Sequence, residues 1–185
     1  MKKSQKTKVG ILEAAKALFW TKGYSNVNLR EIAKQAGVDV ALIPRYFGNK
    51  EGLFNATLDY AFEWNKWDSI PAEDLIEFLV DGYVSNSHIE DDVTVMRMLV
   101  INSLDPKVGD LVRENFEKKM KKPLIQSTKG ILEEINIELI ASILIGISQA
   151  RKAMKFPELR KLNHEQLKKV LMSLINAAEK VKISY

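Results

Sequence analysis

Helical periodicity, running almost without interruption, is what most limits the folds open to this chain. Nine glycines and five prolines are spread over 185 residues. No stretch alternates apolar and polar residues in the period of two that marks a half-buried strand. A first helix is expected over about 5–22, with Ile11, Leu12, Ala15, Leu18 and Phe19 on one face and Lys8, Glu13, Lys16 and Lys22 elsewhere. Gly23 stands where a left-handed cap would end it. Asn28 suits the N-cap of a second helix, with Glu31 as its capping-box-like partner; Leu29, Ile32 and Ala33 form the buried stripe, and Gly37 ends it. Asp39 caps a third helix through 40–46, and Asn49 a long fourth one over about 50–67.

The remaining punctuation continues the series. Pro71 fits the first turn of a fifth helix that reaches about Asn86. Glu90-Asp91-Asp92 opens a sixth that ends near Leu104, and Asp105-Pro106 a seventh. Pro123 should kink or break that seventh pattern, which otherwise continues to about Glu134. An eighth helix spans about 137–155 until Phe156-Pro157 stops it; Asn163, with Gln166 as its capping-box partner, opens the ninth. The expected fold class is therefore all-α, with about nine helices.

Charge is unevenly placed. Residues 1–50 carry ten lysines and arginines against three acids, a surplus of seven, so a net charge of +4 leaves the remainder at three negative. A basic head on a mildly acidic body is the electrostatic footprint of nucleic-acid binding, although a solvated lysine-rich terminus would give the same count. Cysteine is absent, which removes disulfides, zinc-thiolate sites and thiol nucleophiles and fits a cytoplasmic protein. The most apolar run, Ile135 to Ile147, is broken by Asn136, Glu138 and Ser142 and falls short of the roughly 20 residues of a membrane span.

Within the basic head, Gln35-Ala36-Gly37-Val38 joins two short helices as a helix-turn-helix requires. Gly37 can take positive φ, and Val38 is the apolar plug between the helices. In such a pair the second helix enters the major groove while the first crosses the backbone. The stretch Leu29-Arg-Glu-Ile-Ala-Lys-Gln-Ala-Gly-Val38, then Ala41-Leu-Ile and Arg45-Tyr-Phe-Gly-Asn-Lys-Glu-Gly-Leu-Phe54, resembles the N-terminal domain of the tetracycline-repressor (TetR-like) regulators. The phrase Tyr46 to Phe54 is its most specific part. Asp105-Pro-Lys-Val through Lys122-Pro-Leu, and Ile145-Gly-Ile-Ser-Gln-Ala-Arg151, are more loosely similar to one ligand-domain type of that family.

The resemblance implies roles. Lys50, at the start of the fourth helix, would contact a phosphate of double-stranded operator DNA, and a lysine beside unpaired helix N–H groups suits an anion. Arg45 and Tyr46 would contact phosphate or base edges. Val40, Ala41 and Leu42 would face the groove, where small apolar side chains can meet thymine methyls. Asp39 belongs to the same segment as the cap of that helix. Asn28 and Arg30 would pin the backbone, and Lys6 and Lys8 would add phosphate contacts. Pro44 stands where many family members have tyrosine, so that tyrosine's contact cannot be carried over. Its ring should shorten or bend the third helix.

Residues 1–49 are thus expected to bind DNA, with 50–67 connecting to a ligand-binding and dimerisation domain over 50–185. The resemblance places the homodimer seam on the last two long helices, through Ile140, Ile143, Leu144 and Ile147 and through Leu167, Leu171, Leu174, Ile175 and Ala178. Burial of those residues in the monomer core is the alternative. An inducer pocket is expected among Phe62, Trp64, Trp67, Phe78, Tyr83, Met96, Met98, Asn102, Phe116 and Met120, each of which could also be plain core. The small molecule itself has no signature here.

No cofactor, metal or catalytic set is expected. His88 and His164 are the only histidines; His88 beside Glu90-Asp91-Asp92 has the donors for a metal, but the same residues make an ordinary polar loop. The expected function is a ligand-responsive repressor, not an enzyme, that binds a palindromic operator as a homodimer. The alternative is a helical small-molecule-binding or partner-docking module without operator binding.

Overall fold

The structure, a computed structural model, describes residues 3–62, 70–86 and 94–183. Every regular element among them is helical: α1 Lys3–Lys22, α2 Leu29–Ala36, α3 Leu42–Phe47, α4 Lys50–Phe62, α5 Leu75–Ser85, α6 Val95–Ser103, α7 Gly109–Phe116, a π-helical turn Glu117–Lys121, α8 Lys122–Ser127, α9 Glu134–Lys152, α10 Pro157–Lys161 and α11 His164–Ala178. No helix among the described residues is long and apolar enough to cross a membrane. Trp64, Trp67, His88 and Glu90-Asp91-Asp92 lie outside the described residues.

Two compact units divide the chain. The first takes residues 1–63 and 97–115, the second 64–96 and 116–185. The unit that holds the helix-turn-helix thus also recruits most of α6 and α7. Its core is aromatic: the Phe19 ring lies 5.7 Å from Tyr24 and 5.3 Å, edge-on, from Phe54, and Tyr24 lies 5.2 Å from Phe54. Ile11, Ala15, Ile32, Ile43, Leu53 and Leu58 are buried around these rings. Edge-to-face pairs add to the area term, so this cluster fixes α1 against α4.

Asn102, expected at a pocket, is instead fully buried in this unit. Its Oδ1 accepts from Tyr24 N–H at 2.8 Å, and its Nδ2 donates to the Phe19 and Met98 carbonyls at 3.1 and 3.0 Å. Tyr24 N–H lies just past α1, where backbone donors lack helical partners, and the Asn102 amide satisfies it; the bond to the Phe19 carbonyl, which also accepts from Gly23 N–H, ties α6 to the end of α1.

The second unit is aliphatic. Leu75, Ile76, Val80 and Val84 of α5, Ile137, Ile140 and Leu144 of α9, and Leu167, Leu171, Ile175 and Ala178 of α11 form one buried cluster. Asn163 and Gln166 form the expected capping box at the start of α11, at 2.9 and 3.0 Å.

Several boundaries differ from expectation: Pro71, expected in the first turn of the fifth helix, lies ahead of α5, which starts at Leu75, and two further cases concern α8 and α9. The seventh pattern was expected to run as helix to Glu134, but α8 ends at Ser127 and Lys129 and Gly130 take positive φ. A capping box of Glu133 and Asn136 then starts α9 three residues early. Asn136, which interrupts the apolar run in sequence, is fully buried and donates to the Ala178 and Val181 carbonyls at 2.9 Å each, tying the start of α9 to the end of α11. The second of these cases concerns Pro123. The π turn precedes it, and α8 restarts with Pro123 in its first turn, where a missing N–H costs no helical bond.

Candidate nucleic-acid interface

The helix-turn-helix is built by its caps. Asn28 is extended, and its side chain accepts from Glu31 N–H at 2.9 Å, which starts α2. Gly37 ends α2 at φ 65°, ψ 36°, and Val38 N–H returns to the Ala33 carbonyl at 3.0 Å. A side chain at Gly37 would be strained in that left-handed conformation, so glycine sets the turn. Asp39 Oδ1 then accepts from Ala41 N–H at 2.7 Å.

The third helix was expected over 40–46 and is found at 42–47. Residues 39–43 turn tightly instead, with Leu42 N–H on the Asp39 carbonyl and Ile43 N–H on the Val40 carbonyl, both at 3.1 Å. Pro44 is the reason. In a longer helix its ring would press on the Val40 carbonyl; as the third residue of a six-residue helix it needs no N–H at all. The turn also sorts the side chains. Ile43 is buried, whereas Val40, Ala41, Pro44 and Arg45 are exposed on one face, with Leu42 and Tyr46 half-buried at its margins.

Exposed cations share the unit with that face. Lys6, Lys8, Asn28, Arg30, Asp39 and Arg45 are exposed. Lys8 Nζ lies 5.7 Å above the Phe47 ring, and Lys50 Nζ lies 4.2 Å above the Tyr24 ring. Asn49 Oδ1 caps α4 by accepting from Gly52 N–H at 2.7 Å. Burial against Tyr24, and then the charge of Lys107, hold the Lys50 ammonium below its ordinary pKa, while Asp105 acts in the opposite sense. Burial, with Glu51 and Asp105, raises the Tyr24 phenol.

Sequence counting weighed all ten cations of residues 1–50 alike, and the fold separates them. Lys16 pairs with Glu13 at 2.6 Å, and Lys22 pairs with Glu31. Among the described residues Lys6, Arg30, Lys34, Arg45 and Lys50 form no ion pair. Lys34 and Lys107 carry the same exposed, unpaired charge, yet sequence reasoning assigned neither; for Lys107 the sequence holds no signal, because its place depends on a contact with residues some eighty positions away.

The expected pocket residues divide between the two units. Phe62, Met98 and Asn102 belong to the first unit, with Phe62 and Met98 buried. Phe78, Tyr83, Met96, Phe116 and Met120 belong to the second, where Phe78 is exposed and Tyr83, Met96 and Met120 are half-buried against the aliphatic cluster. Sequence reading missed two polar neighbours there. Ser148 bonds to Tyr83, and Arg151 is buried with its Nε donating to the Leu159 carbonyl at 3.0 Å. Burial raises the Tyr83 phenol and lowers the Arg151 guanidinium from their usual pKa.

The residues expected at the seam divide between buried and outward positions. Leu167, Leu171 and Ile175 are fully buried and Ala178, Ile140 and Leu144 nearly so, all within a single chain. An amphipathic stripe buries against the nearest apolar face, and here α5 and α9 supply it. Leu174, 42% exposed, remains outside that core, with Ile143 and Ile147 half-buried. On α9 the outward positions are Glu138, Ser142 and Gly146.

A capped helix-turn-helix with an exposed third helix and unpaired cations, followed by a separate helical unit, defines a DNA-binding regulator of transcription. The chain matches a family model described as bacterial regulatory proteins, tetR family, over residues 11–57, and one described as tetracyclin repressor-like, C-terminal domain, over residues 73–178. It belongs to the tetR family. The curated relative "Probable HTH-type transcriptional regulator YttP" of Bacillus subtilis is 46% identical over 57 residues, a match spanning 31% of this chain and 28% of that relative. A TetR transcriptional regulator from Chloroflexus aurantiacus is similar in structure at TM-score 0.61 and 22% identity, covering 97% of this chain and 98% of that one. NalD of Pseudomonas aeruginosa, the secondary repressor of the MexAB-OprM multidrug efflux pump, is similar at TM-score 0.59 and 20% identity, covering 95% and 97%.

Proposed function

We propose that this protein is a ligand-responsive repressor that binds a palindromic operator as a homodimer and works in the cytoplasm. The observation that carries the DNA half is the face of Val40, Ala41, Pro44 and Arg45, exposed on a rigidly capped turn and flanked by cations without ion partners. Val40, Ala41 and Pro44 meet base edges or methyls; Arg45, Tyr46, Lys50, Arg30, Asn28, Lys6 and Lys8 hold phosphates. Asp39 holds the turn that presents them. Residues 1–49, with Lys50 at the start of α4, do this work, and the rest of 50–185 binds the effector and the second copy. The repressor role follows the likeness to NalD.

Tyr83, Met96, Phe116 and Met120 are the effector candidates retained, because they lie in or beside the aliphatic unit, where Ser148 and Arg151 offer polar groups for orientation. The effector must bind the conformer with low DNA affinity more tightly, tilting α4 and with it Lys50. The seam runs along the outward sides of α9 and α11, through Leu174, Ile143 and Ile147.

Salt titration of duplex binding tests the first claim. Log K should fall steeply with log salt, and Lys50→Ala should reduce the slope by about one. No duplex binding at low salt would end this reading. Sedimentation tests the second: Leu174→Glu should give monomer, and an unchanged species would count against the seam.

A further inference from the structure

We propose, resting on the DNA-binding reading above, that the phosphate-contacting surface extends beyond the three-helix head to Lys107, on the turn between α6 and α7. Lys107 is distant from the helix-turn-helix in sequence but belongs to the same compact unit. Its turn is anchored to the end of α1 and the residues that follow. Asn102 Oδ1 accepts from Tyr24 N–H at 2.8 Å, Asp105 Oδ2 accepts from Ser25 N–H at 3.0 Å, and Arg97 Nη2 donates to the Thr21 carbonyl at 3.1 Å. Ile101 closes the gap: its Cγ2 would lie 2.8 Å from a Cβ at Gly23, so only glycine admits it. Asp105 Oδ1 in turn accepts from the backbone N–H of Lys107 at 2.9 Å.

The same two residues, Tyr24 and Ser25, therefore serve both lysines. The Tyr24 ring lies under Lys50 Nζ at 4.2 Å, and the Ser25 backbone holds the aspartate that holds Lys107. Lys107 is exposed and, among the described residues, forms no ion pair. Asp105, its neighbouring acid, directs both oxygens to backbone N–H groups. Burial would raise the Asp105 carboxyl, but those hydrogen bonds outweigh it and hold the group ionised to lower pH. Lys107 in its turn disfavours the charge on Lys50. Two ammonium groups in this relation are both satisfied by an external polyanion, and a DNA strand supplies phosphates in series.

The test is the salt dependence of binding of the full chain to a mixed-sequence duplex. Lys107→Ala should lower the slope of log K against log salt by about 0.9, the contribution of one phosphate contact, and weaken binding roughly three- to tenfold at low salt. Lys107→Arg should restore both. Lys122→Ala, which removes an exposed lysine of the second unit, should change neither. An unchanged slope in Lys107→Ala, or an equal loss in Lys122→Ala, overturns the proposal while leaving the DNA-binding reading standing. If the unaltered chain bound no duplex at low salt, that reading would fall and the proposal with it. Circular dichroism of each variant separates lost contacts from lost fold.

Discussion

The two units use charge in opposite ways. In the second, the lysines nearest the packed elements are enclosed by acids. Lys121, with 9% of its side chain exposed, meets Glu117 at 2.7 Å and Glu134 and Glu138 at 3.0 Å, and Lys168 meets Glu77 and Asp81 at 2.7 Å. In the first, Lys6, Arg30, Lys34, Arg45, Lys50 and Lys107 have no such partner among the described residues, and the ties between distant segments run through Asn102 and Asp105 to backbone. Unpaired lysines also occur in the second unit, among them Lys122, Lys129 and Lys180, but that unit balances 15 lysines and arginines with 15 acids, so it carries no net positive charge. An internal carboxylate would compete with phosphate for a cation, so a surface meant for DNA keeps its acids for backbone duty.

That contrast can be broken at its strongest point, the aromatic core of the first unit. Phe54→Ala removes a fully buried ring in contact with Phe19 and Tyr24, and should destabilise by about 3–5 kcal/mol in urea denaturation. A loss below about 1 kcal/mol would mean that the rings do not hold α1 to α4. Asn102→Ala comes next. It leaves the Tyr24 N–H buried without a partner, while the Phe19 carbonyl keeps Gly23 N–H, and about 1–3 kcal/mol is expected. With its amide committed to backbone, Asn102 is expected to act on the first unit alone, so an effector identified later should bind folded Asn102→Ala with unchanged affinity.

Lys121→Met sharpens the other side of the comparison. Three carboxylates would face one another without their cation. Glu134 and Glu138 are well exposed, so water offsets much of the repulsion and the expected loss is about 1–2 kcal/mol. The three acids hold the Lys121 ammonium above its ordinary pKa, chiefly through the hydrogen bonds it donates to Glu117 and Glu138. A raised folded-state pKa gives stability that is fully present below the unfolded value, about 10.4, and lost as pH rises beyond it. The difference between wild type and Lys121→Met should therefore be flat from neutral pH to about pH 9 and shrink above about pH 10.4. A difference already vanishing at pH 8 would remove the ion pairs as its cause.

Local chemistry was legible in the sequence wherever one residue acts on its own backbone. Asn28, Gly37, Asn49 and the Asn163–Gln166 box stand where their side chains predict, whereas Asp39, expected to cap the third helix, closes a turn on Ala41 N–H ahead of it. Residues whose role depends on a remote partner were not legible. Asn136 reads as a flaw in an apolar run until the Ala178 and Val181 carbonyls come to it. The stripe Leu167, Leu171 and Ile175 has the period of a seam, but periodicity states only that a face is buried and not what covers it. The same limit hid Lys107, and it scattered the pocket candidates across both units, since Met98 and Asn102 differ from Met96 only in which unit claims them.

Pro44 gives the smallest expected effect and the finest test of the head. A proline inside a longer third helix would cost roughly 3 kcal/mol, so Pro44→Ala would then stabilise the protein by about that much. In the observed six-residue helix Pro44 is the third residue, the Val40 carbonyl already accepts from Ile43 N–H, and the Pro44 carbonyl accepts from Gly48 N–H at 2.8 Å. The ring then breaks no hydrogen bond and only restricts the unfolded chain. Pro44→Ala should lower stability by about 0.4–1 kcal/mol in urea denaturation. A gain instead of a loss would mean that the proline strains the turn which presents Val40, Ala41 and Arg45, and that the head trades stability for the shape of its reading face.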